Sequence, residues 1–241
     1  MPSTRQRSGK YTEVSMAEPR RAGLNKSVPS SRTGHKMREP RWPAFIAMLA
    51  GGMLYLALPE RISLGPSWAL LAVILVLLVP INATYYTGRY NVTRVLTFGA
   101  NVTITIGLVG SLALLIQGLP HHKDPPGTLL RSATALWITN ILVFALWYWK
   151  LDAGGPLGRD EHRQYTAGAF LFPQMVAREE QETPWSPNFL DYLFLAFNTS
   201  TAFSPTDTAV LSRWAKVGMM LQSLISLTIV VLLAARAVNI F

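Results

Sequence analysis

Between Trp42 and Trp149 the chain carries four apolar blocks that hold almost no charge: Trp42–Leu58, Trp68–Ala83, Val95–Leu119 and Leu129–Trp149, the last with Arg131 near its start. Each is roughly 17–25 residues, the length a helix needs to cross about 30 Å of hydrocarbon at 1.5 Å per residue. Apolar residues gathered into runs, rather than spread at amphipathic spacing, separate a membrane chain from a soluble one. Composition agrees. Half of the 241 residues are apolar and 15% are charged, where a soluble domain carries about 25% charged residues. The expected fold is all-α, a polytopic integral membrane helical bundle. There is no cysteine, which excludes disulfides, thiolate nucleophiles and cysteine metal sites.

Breaks between the blocks are punctuated by turn formers. Pro59-Glu60-Arg61 and Gly65-Pro66 close a tight helical hairpin between the first two blocks, and Pro120 to Gly127 ends the third. Four regions follow: a basic tail at 1–41, a four-helix transmembrane region at 42–150, a polar loop at 151–187, and a helix-loop-helix membrane hairpin at 188–241. Trp147, Tyr148, Trp149 and Lys150 read as an aromatic anchor at the interface.

Charge sets the orientation. Residues 1–42 hold ten Lys/Arg against three Glu, +7 of the chain's +9. Ser, Pro, Gly and Arg dominate this stretch, without the folded basic domain or aromatic platform that nucleic-acid binding requires, so it reads as a disordered topogenic tail and nucleic acid is not an expected partner. The positive-inside rule puts it in the cytoplasm, in a multi-pass protein of the inner or plasma membrane. The second and fourth blocks then end inside, which makes Arg89, Arg94 and the 151–187 loop cytoplasmic.

The last region is the most distinctive. The short apolar segment Phe189–Phe197 runs into a polar knot, Asn198-Thr199-Ser200-Thr201-Ala202-Phe203-Ser204-Pro205-Thr206-Asp207, and the long apolar stretch Ala209–Ile240 follows. Lipid does not tolerate exposed polar backbone, so the knot belongs in protein, at an interface or along a water-filled cavity. Trp185 to Phe203 is about 28 Å as helix, just enough to cross. A crossing gives about six transmembrane helices. A re-entrant helix gives five, with the C-terminus outside. The candidate pore-lining residues are Asn198, Thr199, Ser200, Thr201, Ser204, Thr206 and Asp207, with a small cation as candidate solute and a homo-oligomer as candidate assembly. The competing reading is structural: Asn198–Thr201 bond across helices, and Ser204–Asp207 is a turn that caps the last helix.

From Trp137 onward the chain resembles an uncharacterised bacterial family of membrane proteins, a domain of unknown function. The resemblance rests on Trp147-Tyr148-Trp149, Leu151-Asp152-Ala153-Gly154-Gly155-Pro156, Phe170-Leu171-Phe172-Pro173, Asp191 to Phe197, and Ser204-Pro205-Thr206-Asp207-Thr208. The family implies a membrane fold and no activity. The same region is similar to the pore module of potassium channels, with Asp191–Phe197 in the place of the pore helix and Thr199–Asp207 in that of the filter. A potassium filter aims successive carbonyls at the ion, and its glycines permit that backbone. This segment has no glycine, and Pro205 fixes φ and lacks an N–H. Parity also differs: four blocks after a cytoplasmic tail bring this loop in from the cytoplasm.

Other features have simpler readings. Asp191 sits in the first turn of its helix, where a carboxylate favours the dipole. His121-His122-Lys123-Asp124 lacks further ligands at metal-binding spacing. Gly51-Gly52, Gly107 and Gly110 permit close helix packing. No nucleophile–base pair, phosphate loop or dinucleotide fingerprint is present, so neither enzyme activity nor a cofactor is expected. The expected roles are a channel-like or transport protein, or a non-transporting scaffold or accessory subunit. A single cysteine at Ser30, in a chain with no other thiol, is expected to resist an impermeant thiol reagent in intact cells and to label after permeabilisation; labelling from outside reverses the orientation.

Overall fold

The computed structural model describes residues 39–118, 125–161, 168–176, 185–201 and 207–238. The basic tail up to residue 38, His121 to Asp124, and Ser204, Pro205 and Thr206 of the knot lie outside them. Proline opens α1 (Trp42–Leu56), and a proline pair opens α4 (Pro126–Leu151), where a missing N–H costs nothing. Between them come α2 (Ala69–Tyr86) and α3 (Tyr90–Gly118). Among the described residues, four helices are long and apolar enough to cross a membrane: α2, α3, the helix that includes α4, and α8 (Arg213–Val238); α1 is shorter.

Paired residues give the course of the chain. Arg41 lies over the Tyr85 ring at 4.3 Å, Thr93 Oγ1 donates to Thr84 Oγ1 at 2.9 Å, and Lys150 Nζ donates to the Arg94 carbonyl at 2.9 Å. The start of α1, the end of α2, the start of α3 and the end of α4 therefore share one end of the bundle, called the tail end below. At Gly52 a Cβ would meet Ile74 Cδ1 at 2.8 Å and the Leu71 Cα at 3.3 Å, so the missing side chain of glycine favours the close approach of α1 and α2.

The 151–187 stretch contains regular structure that its polarity hides. Asp152–Gly154 form a 3-10 turn with Ala153 at φ 48°, followed by α5 (Gly155–Glu161), β1 (Phe170–Leu171) and α6 (Pro173–Val176). β1 pairs antiparallel with β2 (Ala209–Val210), in the register Phe170 to Val210 and Leu171 to Ala209. Asp152 anchors this end. It is fully buried; its Oδ1 accepts from the Ala169 N–H at 2.5 Å and its Oδ2 from the Tyr192 hydroxyl at 2.6 Å. Arg159 donates to the Trp149 and Asp152 carbonyls and, at 2.9 Å, to Glu39 Oε2.

The aromatic run at the end of α4 departs from the expected membrane anchor. Tyr148 and Trp149 are buried. Trp147 Nε1 donates to Thr105 Oγ1 and Trp149 Nε1 to Glu39 Oε1. These rings turn inward because α4 is the central helix, packed against α1, α3, α7 (Phe189–Thr201) and α8.

The Arg159–Glu39 pair is almost wholly buried, with side chains 2% and 9% exposed. Breaking such a pair from one side leaves a charge uncompensated, at about 3–5 kcal/mol. Glu39→Ala is expected to lower the unfolding midpoint in detergent by that equivalent and Glu39→Gln by less; an unchanged midpoint in Glu39→Ala contradicts the anchoring role.

Candidate functional site: the helix that ends inside the bundle

The direction of α7 is fixed by its bonds. At its start, Asn188 Oδ1 accepts from the Leu190 N–H and Asp191 Oδ2 from the Asn188 N–H, both at 2.8 Å. This reciprocal cap satisfies two donors and gives Asp191 its role in the first turn. The Phe189 ring meets Trp149 at 5.9 Å and Tyr192 reaches Asp152, so α7 starts at the tail end. The start of α8 is there too, with Trp214 against Phe170 at 6.0 Å.

From that shared end the two helices advance together. Gln222 of α8 donates to the Ala196 carbonyl of α7 at 2.6 Å, and Ser226, one turn on, donates to the Ser200 carbonyl at 2.5 Å. A step of four on one helix matches a step of four on the other, so α7 and α8 run parallel. A sixth crossing by Phe189–Phe203 requires them to run antiparallel, whereas the described pairings run parallel. Helix α4 runs opposite to both: Tyr148 meets Gln222, and Trp137 meets Ser226 and Phe197.

At 13 residues α7 is about 20 Å long, short of a full crossing. It ends beside Ser223 and Ser226, and the chain is next described at Asp207, close to β2 and the tail end.

A helix end leaves its last four carbonyls without intrahelical partners. Here three of them are met by hydroxyls. Asn198 O accepts from Thr201 Oγ1 at 3.0 Å, Thr199 O from Ser223 Oγ at 3.2 Å, and Ser200 O from Ser226 Oγ. Gln222, wholly buried, ties the three helices. Its Nε2 also donates to Ser200 Oγ at 2.7 Å, its Oε1 accepts from the Tyr148 hydroxyl at 2.7 Å, and its backbone carbonyl accepts from Asn140 Nδ2 at 3.1 Å. Ser226 relays: it donates to Ser200 O and accepts from Trp137 Nε1 at 2.8 Å.

Of the sequence candidates, Thr199 and Ser200 are buried inside this network, and Thr199 Oγ1 donates back to the Leu195 carbonyl at 2.8 Å. Asn198 and Thr201 are half-buried at the end of α7, and Asp207 is exposed beside β2. The network brings in residues that sequence reasoning passed over: Tyr148, Gln222, Ser223 and Ser226. Their signal was present, since Gln222, Ser223 and Ser226 are polar, lie within one and a half turns, and interrupt a stretch from Val217 to Ala235 whose other polar side chain is Thr228.

Gln222→Leu is expected to leave the Tyr148 and Ser200 hydroxyls without this partner, at about 1–3 kcal/mol for each buried group. Ser223→Ala removes one longer bond and is expected to cost about 0.5–1.5 kcal/mol. Thermal unfolding in detergent measures both, and equal midpoints for wild type and Gln222→Leu contradict the network's role.

No protein-family model, curated protein or solved structure matches the chain.

Proposed function

We propose that the chain is one protomer of a channel-like membrane protein, in which α4, α7 and α8 act as outer helix, re-entrant helix and inner helix of a pore module. The observation that carries this reading is the parallel course of α7 and α8 from one end of the bundle, with α4 antiparallel beside them. In this reading α1 to α4 and α8 cross, α7 enters and does not cross, and Asn198 to Asp207 lie along a polar path at a junction between protomers.

Two further features support it. Helix α8 presents an apolar face, with Val217, Leu221, Leu224 and Val231 all exposed in the single chain, and a ring of protomers covers such a face. The C-terminal end of α7 carries the negative end of its dipole into the bundle, and Asp207 adds a carboxylate at the mouth; both favour cations. Potassium selectivity is not part of the proposal, since the segment lacks the glycines that aim a carbonyl filter. On the charge bias the tail and the mouth face the cytoplasm of an inner or plasma membrane.

A second reading, a non-transporting scaffold or accessory subunit, is favoured by one specific observation. Hydroxyls of the same chain already occupy three carbonyls at the end of α7, which makes Thr199, Ser200 and Thr201 framework and leaves Ser204, Thr206 and Asp207 to carry any passage.

Purified protein in liposomes separates the two. The pore reading predicts a cation flux that falls in Asp207→Asn while stability is unchanged, because Asp207 is exposed and Ser212, not Asp207, stands at the start of α8. Absence of flux at every membrane potential, in protein that is monomeric in detergent, rejects the pore and supports the scaffold.

A further inference from the structure

A cavity of about 320 Å³ opens at the tail end among α1, α2, α3, α4 and the 154–158 segment, away from the end of α7. Its polar lining is one-signed. Arg41, Arg94 and Lys150 line it, and among the described lining residues there is no carboxylate. The Lys150 Nζ bond to the Arg94 carbonyl sets the ammonium at the start of α3. Deeper in, the walls turn apolar, with Ile81 and Leu146.

Asn101 supplies the second observation. It is among the residues that line this cavity and is wholly buried, yet neither Oδ1 nor Nδ2 has a partner among the described residues. An amide buried without partners is costly, and native interiors rarely keep one. Asn101 lies two turns along α3 from Arg94, about 10 Å deeper.

We infer that this cavity binds the headgroup of an anionic phospholipid: the phosphate meets Arg94 and Lys150 at the rim, and the hydroxyls of a glycerol headgroup reach inward to Asn101. Two chemical features select this ligand. Arg94 and Lys150 draw an anion to the rim, and basic pockets between transmembrane helices at a membrane surface suit lipid phosphates. Asn101 needs both a donor and an acceptor, which a glycerol headgroup offers and a simple anion at the rim does not. The inference is independent of the pore reading, because it uses no residue of α7 or α8.

The test uses the full chain in detergent, with bound lipid read by native mass spectrometry and stability by thermal unfolding. The expected result is that phosphatidylglycerol stays bound and raises the unfolding midpoint, whereas phosphatidylcholine and millimolar inorganic phosphate do neither. Arg94→Gln, an exposed side chain whose loss leaves the fold intact, is expected to weaken phosphatidylglycerol binding about 3-fold, and Arg94→Gln/Lys150→Gln about 10-fold or more. Arg213→Gln/Lys216→Gln removes two cations outside the cavity and is expected to leave binding unchanged. Inorganic phosphate acting as well as the lipid, equal retention of the two lipids, or wild-type binding by Arg94→Gln and the double variant overturns the assignment.

Discussion

A helix that stops inside an apolar bundle strands carbonyls where water is scarce, and each one left bare costs free energy comparable to a lost hydrogen bond. The end of α7 meets this constraint with hydroxyls. Ser223 and Ser226 reach across from α8, and Thr201 folds back on its own turn. Because α8 must present Gln222, Ser223 and Ser226 at the depth where α7 ends, the register of the two helices is fixed. Tyr148, Asn140 and Trp137 then fix α4 to the same layer. The parallel pair is stable only as part of this three-helix layer, and that explains why polar residues interrupt α8.

The tail end of the bundle has the complementary problem. Helices α7 and α8 both start there, and the chain has to be led from the end of α4 to α7 and from Asp207 back into α8. Asp152 does this with a carboxylate that holds the Ala169 backbone and the Tyr192 hydroxyl, while β1 and β2 join the two connections directly. Phe170, fully buried, meets Tyr148, Tyr192 and Trp214 and so touches all three helices of the layer. Arg159 and Glu39 extend the tie to the residues before α1.

Much of this was legible in the residues, and the illegible parts have physical causes. Block length and the lack of charge gave α2, α3 and α4 to within a few residues, and Asp191 read correctly as a helix-start carboxylate. The direction of α7 was not readable: a segment of 13 mostly apolar and hydroxyl residues has the same composition whether it crosses or turns back, and only its partners decide. Tyr148 and Trp149 read as an interfacial anchor because aromatic residues beside a lysine have that pattern at a membrane surface; their inward turn depends on Gln222 and Glu39, each more than 70 residues away in sequence. The 151–187 stretch looked like loop because a two-residue strand has no periodicity to detect.

The central proposal is that α7 enters and leaves from one side, which gives the chain an odd number of crossings. Reporters at Ser30 and directly after Phe241, each read by accessibility from both faces of sealed vesicles, test this most directly. The account predicts that the two sites lie on opposite faces. Both on one face means that α7 is a sixth crossing, which contradicts the parallel pairing of Ala196 with Gln222 and Ser200 with Ser226.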